Sequence, residues 1–238
     1  ADVRNFVILG HSGSGKTTLT DAIAFKLGLA DRQGLPDAGT SLSDYTDEEK
    51  SRRISIFASP FSGEYKAADG RRLAFSFIDA PGYMDFHGQV LGAVHAADAA
   101  LIAVDAVAGV QVGTRRAWQA CAAVGVAARG FVVTGLDREN ASFEKVLAGI
   151  REAFGAGCVP VMLPAGAGGV VDLLGAGAAA GGGEAGAAEA RGALVEHAAE
   201  TDDSLIEKYL GGEELTPEEI AGGLVRAVAA GVCHPVFV

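Results

Sequence analysis

Hydrophobic and polar residues alternate along this chain with periods that predict strands and helices in turn. Short apolar runs bounded by glycine, proline or acidic residues predict strands, and apolar residues spaced by three and four predict helices. The predicted strands cover residues 3 to 9, 54 to 57, 61 to 66, 71 to 78, 100 to 104, 130 to 133, 158 to 163 and 234 to 238. The predicted helices cover residues 18 to 27, 86 to 97, 112 to 124, 142 to 154, 191 to 210 with a break near Thr201, and 217 to 230. This alternation favours an α/β fold: a doubly wound, mostly parallel sheet with helices on both faces and its ligand at the carboxyl ends of the strands.

Two segments do not follow the alternation of strands and helices. Short sequence signals elsewhere predict a turn and a helix start. Residues 30 to 53 are polar and follow neither period, which predicts a long loop of functional or mobile character. Residues 164 to 190 are nearly all glycine and alanine around an apolar island at 170 to 174, which predicts a flexible excursion. Asp69-Gly70 predicts a tight hairpin turn, and Thr216 with Glu219 predicts a capping box at a helix start.

Composition indicates a folded, globular protein and argues against a membrane-spanning protein. The chain has 238 residues, 49% of them hydrophobic and 21% charged, which indicates one large folded domain, alone or with a small appendage. No uncharged apolar run is long enough to span a membrane, and the first residues lack a leader pattern, so we expect a cytoplasmic protein. The three cysteines fit no metal spacing and are expected to be buried, reduced thiols. A net charge of -11 argues against strong nonspecific binding of nucleic acid.

Residues 10 to 17 match the phosphate-binding pattern G-x-x-x-x-G-K-[ST], between a predicted strand and a predicted helix. Glycines let backbone N–H groups wrap around one anion, at which the positive end of the helix dipole also points. This context disfavours the alternative of an ordinary glycine-rich turn. The sequence predicts a nucleotide polyphosphate, with Lys16 at the outer phosphates and the Thr17 hydroxyl on Mg²⁺. The residues predicted to contact the nucleotide in this phosphate loop are Gly10, His11, Ser12, Gly13, Ser14, Gly15, Lys16, Thr17 and Thr18.

Asp79 stands at the end of a predicted strand, just before the turn Ala80-Pro81-Gly82. A carboxylate there can hold Mg²⁺, directly or through water, on the side away from Thr17. A strand-end aspartate is otherwise most often a helix N-cap, so the metal role depends on the glycine-rich loop. We therefore predict that Asp79 and Gly82 belong to the same nucleotide site as residues 10 to 17.

Three motifs follow one another in the order found in GTPases: residues 10 to 17, Asp-Ala-Pro-Gly at 79 to 82, and Thr-Gly-Leu-Asp at 134 to 137. With Asp-Phe at 85 to 86 and Ala-Asp-Ala-Ala at 97 to 100, this order resembles translational GTPases. The chain is most similar to the GTPase domain of elongation factor G, which residues 200 to 214 also resemble. The resemblance implies a P-loop NTPase fold, bound GTP or GDP, Mg²⁺ as cofactor, and the ribosome as a partner of the full-length protein.

Two departures from that family concern metal binding and hydrolysis. Elongation factor G carries Arg-Gly-Ile-Thr-Ile where this chain has Arg-Arg-Ile-Ser-Ile at 52 to 56. The Ser55 hydroxyl can still bind Mg²⁺, so the implied metal ligands are Thr17, Ser55 and Asp79. The family's water-positioning histidine is replaced by Tyr83, and a phenol is not the same polar group and is a poor base near neutral pH. The implied catalytic residues are Lys16, Gly82 through its N–H, and Tyr83, and hydrolysis is expected to be slow or differently triggered.

The largest departure lies in the element that reads the base, where Asn-Lys-x-Asp has become Thr134-Gly135-Leu136-Asp137. The Asp137 carboxylate can accept from two guanine N–H groups, which adenine does not offer. Gly135 removes the lysine stem that would cover one face of the base, and Thr134 is shorter than asparagine, so affinity is expected to fall by roughly 1 to 3 kcal/mol. The alternative is that Asp137 only caps the helix expected from about Asn140.

Domain boundaries follow from the same resemblance. We expect a GTPase core at 1 to 163, a shrunken remnant of the family's inserted subdomain at 164 to 190, and the last helices and strand at 191 to 238. The family's final guanine-contacting loop comes after the strand that ends here at Val238, so the chain is expected to be part of a longer protein. The sequence leaves the oligomeric state open.

The leading hypothesis is therefore a GTP-binding domain that hydrolyses GTP with Mg²⁺ to GDP and phosphate. Tyr83 and the altered base motif keep open a nucleotide-binding switch with little hydrolysis. Thr134 and Gly135 give mild support to an ATP-using P-loop protein, which Asp137 opposes. Binding of GTP, GDP and ATP, and release of phosphate with and without ribosomes, distinguish these alternatives.

Overall fold

The structure is a computed structural model that describes residues 2 to 67, 70 to 175 and 186 to 238. The chain forms two compact units, one of Ala1–Asp105 with Gln111–Val126 and the other of Ala106–Val110 with Ala127–Val238. Within the described residues, seven strands form the main, mostly parallel sheet and two more form a separate pair. The predicted α/β class is confirmed. No helix of the described segments is both long and apolar enough to cross a bilayer.

The first unit contains the phosphate loop. Its strands are β1 (Asp2–Gly10), β2 (Ser59–Lys66), β3 (Arg72–Asp79) and β4 (Ala99–Asp105), and its helices are α1 (Lys16–Lys26), α2 (Asp47–Arg52), α3 (His87–His95) and α4 (Val112–Val124). The strand order is β2-β3-β1-β4, with β1 parallel to β3 and β4 and with β2 antiparallel to β3. The register pairs Ile8 with Asp79, so β3 ends beside the start of the phosphate loop.

Both faces of the sheet in this unit are covered by helices. Phe6 and Ile8 share one face of β1, where they pack in a cluster with residues of α1 such as Ala24. Val7 and Leu9 point to the other face and are 0% and 1% exposed, and α3 and α4 contact β1 there. The prediction of helices on both faces is therefore confirmed for this unit.

The second unit also combines strands and helices. Its strands are β5 (Ala128–Thr134), β6 (Cys158–Pro160), β7 (Met162–Ala165), β8 (Gly169–Asp172) and β9 (His234–Phe237), and its helices are α5 (Phe143–Phe154), α6 (Ala187–Ala199), α7 (Asp203–Leu210) and α8 (Pro217–Ala229). β9 lies between β5 and β6 and is parallel to both, while β7 and β8 form an antiparallel pair. Its core includes Leu194, Ile220 and Leu224, from α6 and α8.

Several predicted boundaries were wrong, each for a local reason. The predicted loop at 30 to 53 contains α2, whose capping box joins Thr46 and Glu49, and a short 3-10 helix at Pro36–Ala38. Residues 54 to 57 are not a strand, because the N–H groups of Ile56 and Phe57 donate to the Glu49 carboxylate instead of to a neighbouring strand.

In the second unit, the predicted strand at 158 to 163 divides into β6 and β7. Val161, between them, donates its N–H to Val236 and accepts one from Leu173. The break expected near Thr201 is confirmed, because Asp202 accepts the N–H of Ser204 and starts α7. The prediction of a flexible excursion at 164 to 190 is wrong for its described residues, which include the end of β7, all of β8 and the start of α6. Residues 176 to 185 of that segment and Asp69 of the predicted hairpin turn lie outside the described residues.

Candidate nucleotide-binding site

The phosphate loop connects β1 to α1 through three glycines in conformations that other residues rarely adopt. Gly10, Gly13 and Gly15 have φ values of +146°, +76° and +74°. A Cβ on Gly10 would lie 2.5 Å from the carbonyl oxygen of Ala103, so the loop approaches β4 too closely for any side chain. Gly15 is the N-cap of α1 and brings no side chain to the first N–H groups of the helix. These N–H groups are therefore available to an anion.

Lys16 lies inside the site, only 5% exposed, and its Nζ donates to the His11 carbonyl oxygen at 2.7 Å. Burial lowers the pKa of Lys16 below its usual value, while the charges of Asp79 and Asp44 act in the opposite direction. Gly82 is packed against the same group, since a Cβ there would overlap Lys16 Nζ and lie 2.8 Å from the Ser12 nitrogen. The structure thus brings Lys16 and the Gly82 backbone together, as the sequence predicted.

Of the other residues predicted in the phosphate loop, His11 is partly buried and packs against Gly113 at the start of α4. Ser14 is 1% exposed and donates its N–H to the His11 carbonyl oxygen, which closes the turn. Thr18 is exposed on the first turn of α1.

The three predicted metal ligands lie in one network. The Thr17 Oγ1 and Ser55 Oγ atoms are 3.0 Å apart, and Ser55 donates to Asp44 Oδ1 at 2.8 Å. Ser43 Oγ donates to Asp79 Oδ2 at 2.7 Å, and Thr17 also forms a hydrogen bond that favours the charged form of Asp79. The loop before β2 therefore folds onto the end of β3 and the start of α1.

Asp79 has the environment expected of a cation ligand. It is 1% exposed, and among the described residues its Oδ1 atom has no hydrogen-bond partner. Burial raises the pKa of Asp79 to about 6, against the opposing effects of Ser43, Lys16 and Thr17. A buried carboxylate oxygen without a donor, beside two hydroxyls, is the hard oxygen set that Mg²⁺ prefers. The residues present therefore fit the metal predicted from the sequence.

Glu49 was not predicted as part of the site, although it fixes the position of Ser55. It is 0% exposed and accepts from the Thr46 nitrogen, the Thr46 hydroxyl, and the N–H groups of Ile56 and Phe57, at 2.7 to 3.1 Å. Burial alone would raise the pKa of Glu49, but these hydrogen bonds outweigh it and hold the pKa below its usual value. The spacing Thr-x-x-Glu at 46 to 49 was the available signal.

Asp21 and Asp44 were also missed. Asp21, on α1 and 1% exposed, accepts the Leu42 N–H at 2.9 Å, and burial raises its pKa. Asp44 accepts from Ser55, and burial likewise raises its pKa. Both contacts join residues far apart in the chain, so no sequence pattern indicated them.

Tyr83 is 42% exposed and precedes a short 3-10 helix at Met84–Phe86. It lines a small cleft together with Pro81, Met84 and Arg116 of α4. The backbone at Gly82 is thus held in the site while the phenol next to it is partly in solvent.

The predicted base-reading residues lie in the second unit, where β5 ends. Thr134 accepts the Ala106 N–H at 2.8 Å through its carbonyl, Gly135 has a φ of +70°, and Asp137 is exposed. The N-cap of α5 is Ser142, which accepts the Lys145 N–H. Asp137 therefore does not cap this helix, and the alternative role considered for it is wrong.

The chain matches a known protein family over most of its length. The family described as Elongation factor Tu GTP binding domain matches residues 1–228. This chain belongs to that family. The GTP-binding domain is 36% identical over 164 residues to two proteins described as elongation factor G-like, from Mycobacterium tuberculosis strains CDC 1551 / Oshkosh and ATCC 25618 / H37Rv. These matches cover 69% of the chain and 22% of each relative.

A crystal structure of a protein from Thermus thermophilus has the same fold. The GTP-binding domain superposes on it with a TM-score of 0.87 at 35% identity, over 99% of this chain and 37% of that one. The chain thus spans less than half the length of these relatives. The resemblance to an elongation-factor GTPase domain is confirmed at the level of the family and the fold.

Proposed function

We propose that this domain binds GTP and hydrolyses it to GDP and phosphate in a Mg²⁺-dependent reaction. The observation that carries the proposal is the network in which Thr17, Ser55 and Asp79 meet next to buried Lys16. Within it, Asp79 Oδ1 is buried and has no donor among the described residues. Such a constellation suits the polyphosphate and metal of a nucleotide.

In this proposal, the predicted site residues of the first unit have separate roles. The N–H groups of the phosphate loop and the Lys16 ammonium hold the phosphates and neutralise their charge. Mg²⁺, when held by Thr17, Ser55 and Asp79, supplies further neutralisation of the phosphate oxygens. The Gly82 N–H donates to the terminal phosphate, and Tyr83 is left to hold the attacking water. Because a phenol is a poor base near neutral pH, the rate is slow.

In the second unit, Asp137 selects guanine by accepting from two N–H groups of the base. Thr134 and Gly135 contribute less than the asparagine and lysine of the related motif. Family membership supports this preference. An ATP-using protein is therefore the weaker alternative.

A switch with little hydrolysis is the second candidate, and the exposure of Tyr83 favours it. In either case residues 30 to 53 and 82 to 86 report the γ-phosphate, and the contacts of Ser43 with Asp79 and of nearby Ser55 with Thr17 support this role for the first segment. We further propose that a protein containing this domain acts on the ribosome in the cytoplasm, on the basis of the elongation factor G-like relatives. Residues 164 to 190 would be the remnant of an inserted subdomain between a core at 1 to 163 and a final part at 191 to 238.

Two measurements test the proposal. The affinities for GTP, GDP and ATP, with Mg²⁺ and with a chelator, test the nucleotide and the metal; equal affinity for ATP and GTP would remove the role of Asp137. Release of phosphate from GTP, with and without ribosomes, separates the two candidates. No release under either condition would leave the binding switch as the function.

A further inference from the structure

Gly135 and Arg138 contact each other in the turn that follows β5, through the backbone and through the Arg138 side chain. The Arg138 N–H donates to the Gly135 carbonyl oxygen at 3.2 Å, so residues 135 to 138 form a tight turn. The Arg138 side chain folds back across this turn. A Cβ built on Gly135 would lie 2.8 Å from Arg138 Nε, 3.3 Å from Cζ and 3.2 Å from the second terminal nitrogen. The guanidinium therefore occupies the space into which a side chain at residue 135 would extend.

Residue 135 is the position at which the related motif carries a lysine, whose stem covers one face of the base. The φ of +70° at Gly135 is a conformation that residues with a Cβ rarely adopt, so this turn suits glycine. The three atoms nearest to the missing Cβ all belong to the Arg138 guanidinium. A guanidinium is planar and delocalised, and it stacks on aromatic rings better than a lysine stem does.

We propose that Arg138 covers the face of the purine base that the lysine stem covers in the related motif, and thereby determines affinity for the nucleotide. This inference rests on the proposed contact of guanine with Asp137, the residue directly before Arg138 in the same turn. The two residues contact different parts of the base. Asp137 reads the polar edge of the base and Arg138 contacts its π-face, which every purine presents.

The test compares GDP with inosine diphosphate, which has the same purine face but lacks the 2-amino group. Affinities of both are measured by competition with a fluorescent GDP, after thermal melts establish that each variant folds. Arg138→Ala weakens both nucleotides by the same factor, between about two-fold and thirty-fold, the range for a cation over an aromatic ring. Asp137→Asn weakens GDP more than inosine diphosphate. Glu139→Ala, at the exposed neighbouring residue, is the matched control and changes neither affinity.

Two further variants separate stacking from charge and from a structural effect on the turn. Arg138→Lys keeps the charge and loses the plane, so it recovers only part of the affinity lost in Arg138→Ala. Gly135→Lys in the Arg138→Ala background restores only part of the affinity for both nucleotides, because the guanidinium no longer fills the space but the φ of +70° strains a residue with a Cβ, whereas Gly135→Lys alone displaces Arg138 and gives no gain.

The outcomes that overturn the proposal differ from those that overturn the proposed function. If Arg138→Ala leaves both affinities within two-fold, or weakens GDP alone, Arg138 does not cover the base. The GTP-binding function survives that result as long as Asp137→Asn still reduces the preference for GDP. A parent protein that binds ADP as well as GDP overturns guanine selection, whereas equal weakening of all three diphosphates by Arg138→Ala then still supports the stacking role.

Discussion

The Thr17 hydroxyl lies 3.0 Å from the Ser55 hydroxyl, although 38 residues separate them in the sequence. Asp44 accepts a hydrogen bond from the Ser55 hydroxyl. Glu49 accepts the N–H groups of the two residues that follow Ser55 and so fixes the backbone there. The first turn of α1 and the loop before β2 are therefore joined through groups that can also bind a metal. A change in the metal or the phosphates can be transmitted to the loop through this contact.

Lys16→Ala should weaken GTP and GDP binding by about ten-fold to a hundred-fold, because a charge-assisted contact to phosphate is worth roughly 1.5 to 3 kcal/mol. The measurement is titration of a fluorescent nucleotide. Lys26→Ala is the matched control, since Lys26 lies exposed in the last turn of the same helix. If Lys16→Ala binds like the parent, the assignment of the phosphate loop is wrong.

Glu49→Gln should raise the Mg²⁺ concentration needed for half-maximal GTP binding and destabilise the fold by about 1 to 3 kcal/mol. The amide turns a donor toward one of the N–H groups that Glu49 accepts, so Ser55 loses its fixed position. Mg²⁺ titration of GTP binding and urea unfolding measure the two effects.

The control for Glu49 is Glu219→Gln, because Glu219 forms the same kind of capping box with Thr216 at the start of α8. That variant should cost stability and leave the Mg²⁺ requirement unchanged. Equal shifts of the Mg²⁺ requirement in both variants would mean that Glu49 has no special role in the metal site.

Asp79 should make the stability of the nucleotide-free protein depend on pH. Burial raises its pKa from 3.8 to about 6, so the folded state holds the proton more tightly than the unfolded chain. Its stabilising contribution is complete below about pH 4 and is lost as pH rises through about 6, by about 3 kcal/mol at most. Asp79→Asn should remove this loss and weaken Mg²⁺-dependent nucleotide binding.

Urea unfolding at pH 5 and pH 8, with a chelator and without nucleotide, measures this effect. Asp98→Asn, at an exposed site, should keep the pH dependence of the parent. A variant at Asp79 that unfolds with the same pH dependence as the parent would show that its carboxyl is not the group responsible.

Sequence periodicity predicted most of the fold, because a strand buries every second residue on one face and a helix buries residues spaced by three and four. The helix predicted at 112 to 124 has the same bounds as α4, and the glycine pattern located the phosphate loop. These features are local: each depends on residues within a few positions of one another. The capping box at Thr216 was predicted for the same reason and is confirmed.

The supporting residues of the site could not be predicted in this way. Asp21 meets the backbone at Leu42, and Ser43 meets Asp79 across 36 residues, so their partners are fixed only by the folded loop. The Thr46 to Glu49 spacing was readable, but the two further N–H groups that Glu49 accepts were not. The helix-cap role for Asp137 was wrong because the N-cap of α5 lies five residues later, at Ser142.

We expect Tyr83 to determine whether this domain hydrolyses GTP or only binds it. The Gly82 backbone packs beside Lys16, so charge neutralisation does not depend on the phenol. The ring itself is 42% exposed and lines the cleft beside α4. A tyrosine hydroxyl can hold a water through one hydrogen bond but is a poor base near neutral pH.

We therefore expect very slow phosphate release by the parent. Tyr83→His should change the rate of phosphate release while leaving GTP affinity within a few-fold, because it alters the group available to the water and not the contacts to the phosphates. Single-turnover phosphate release and nucleotide titration on the same samples separate the two quantities. Tyr83→Phe is the matched control, since it removes only the hydroxyl. If it hydrolyses GTP as fast as the parent, the phenol takes no part, and the backbone, Lys16 and the metal are the whole catalytic apparatus.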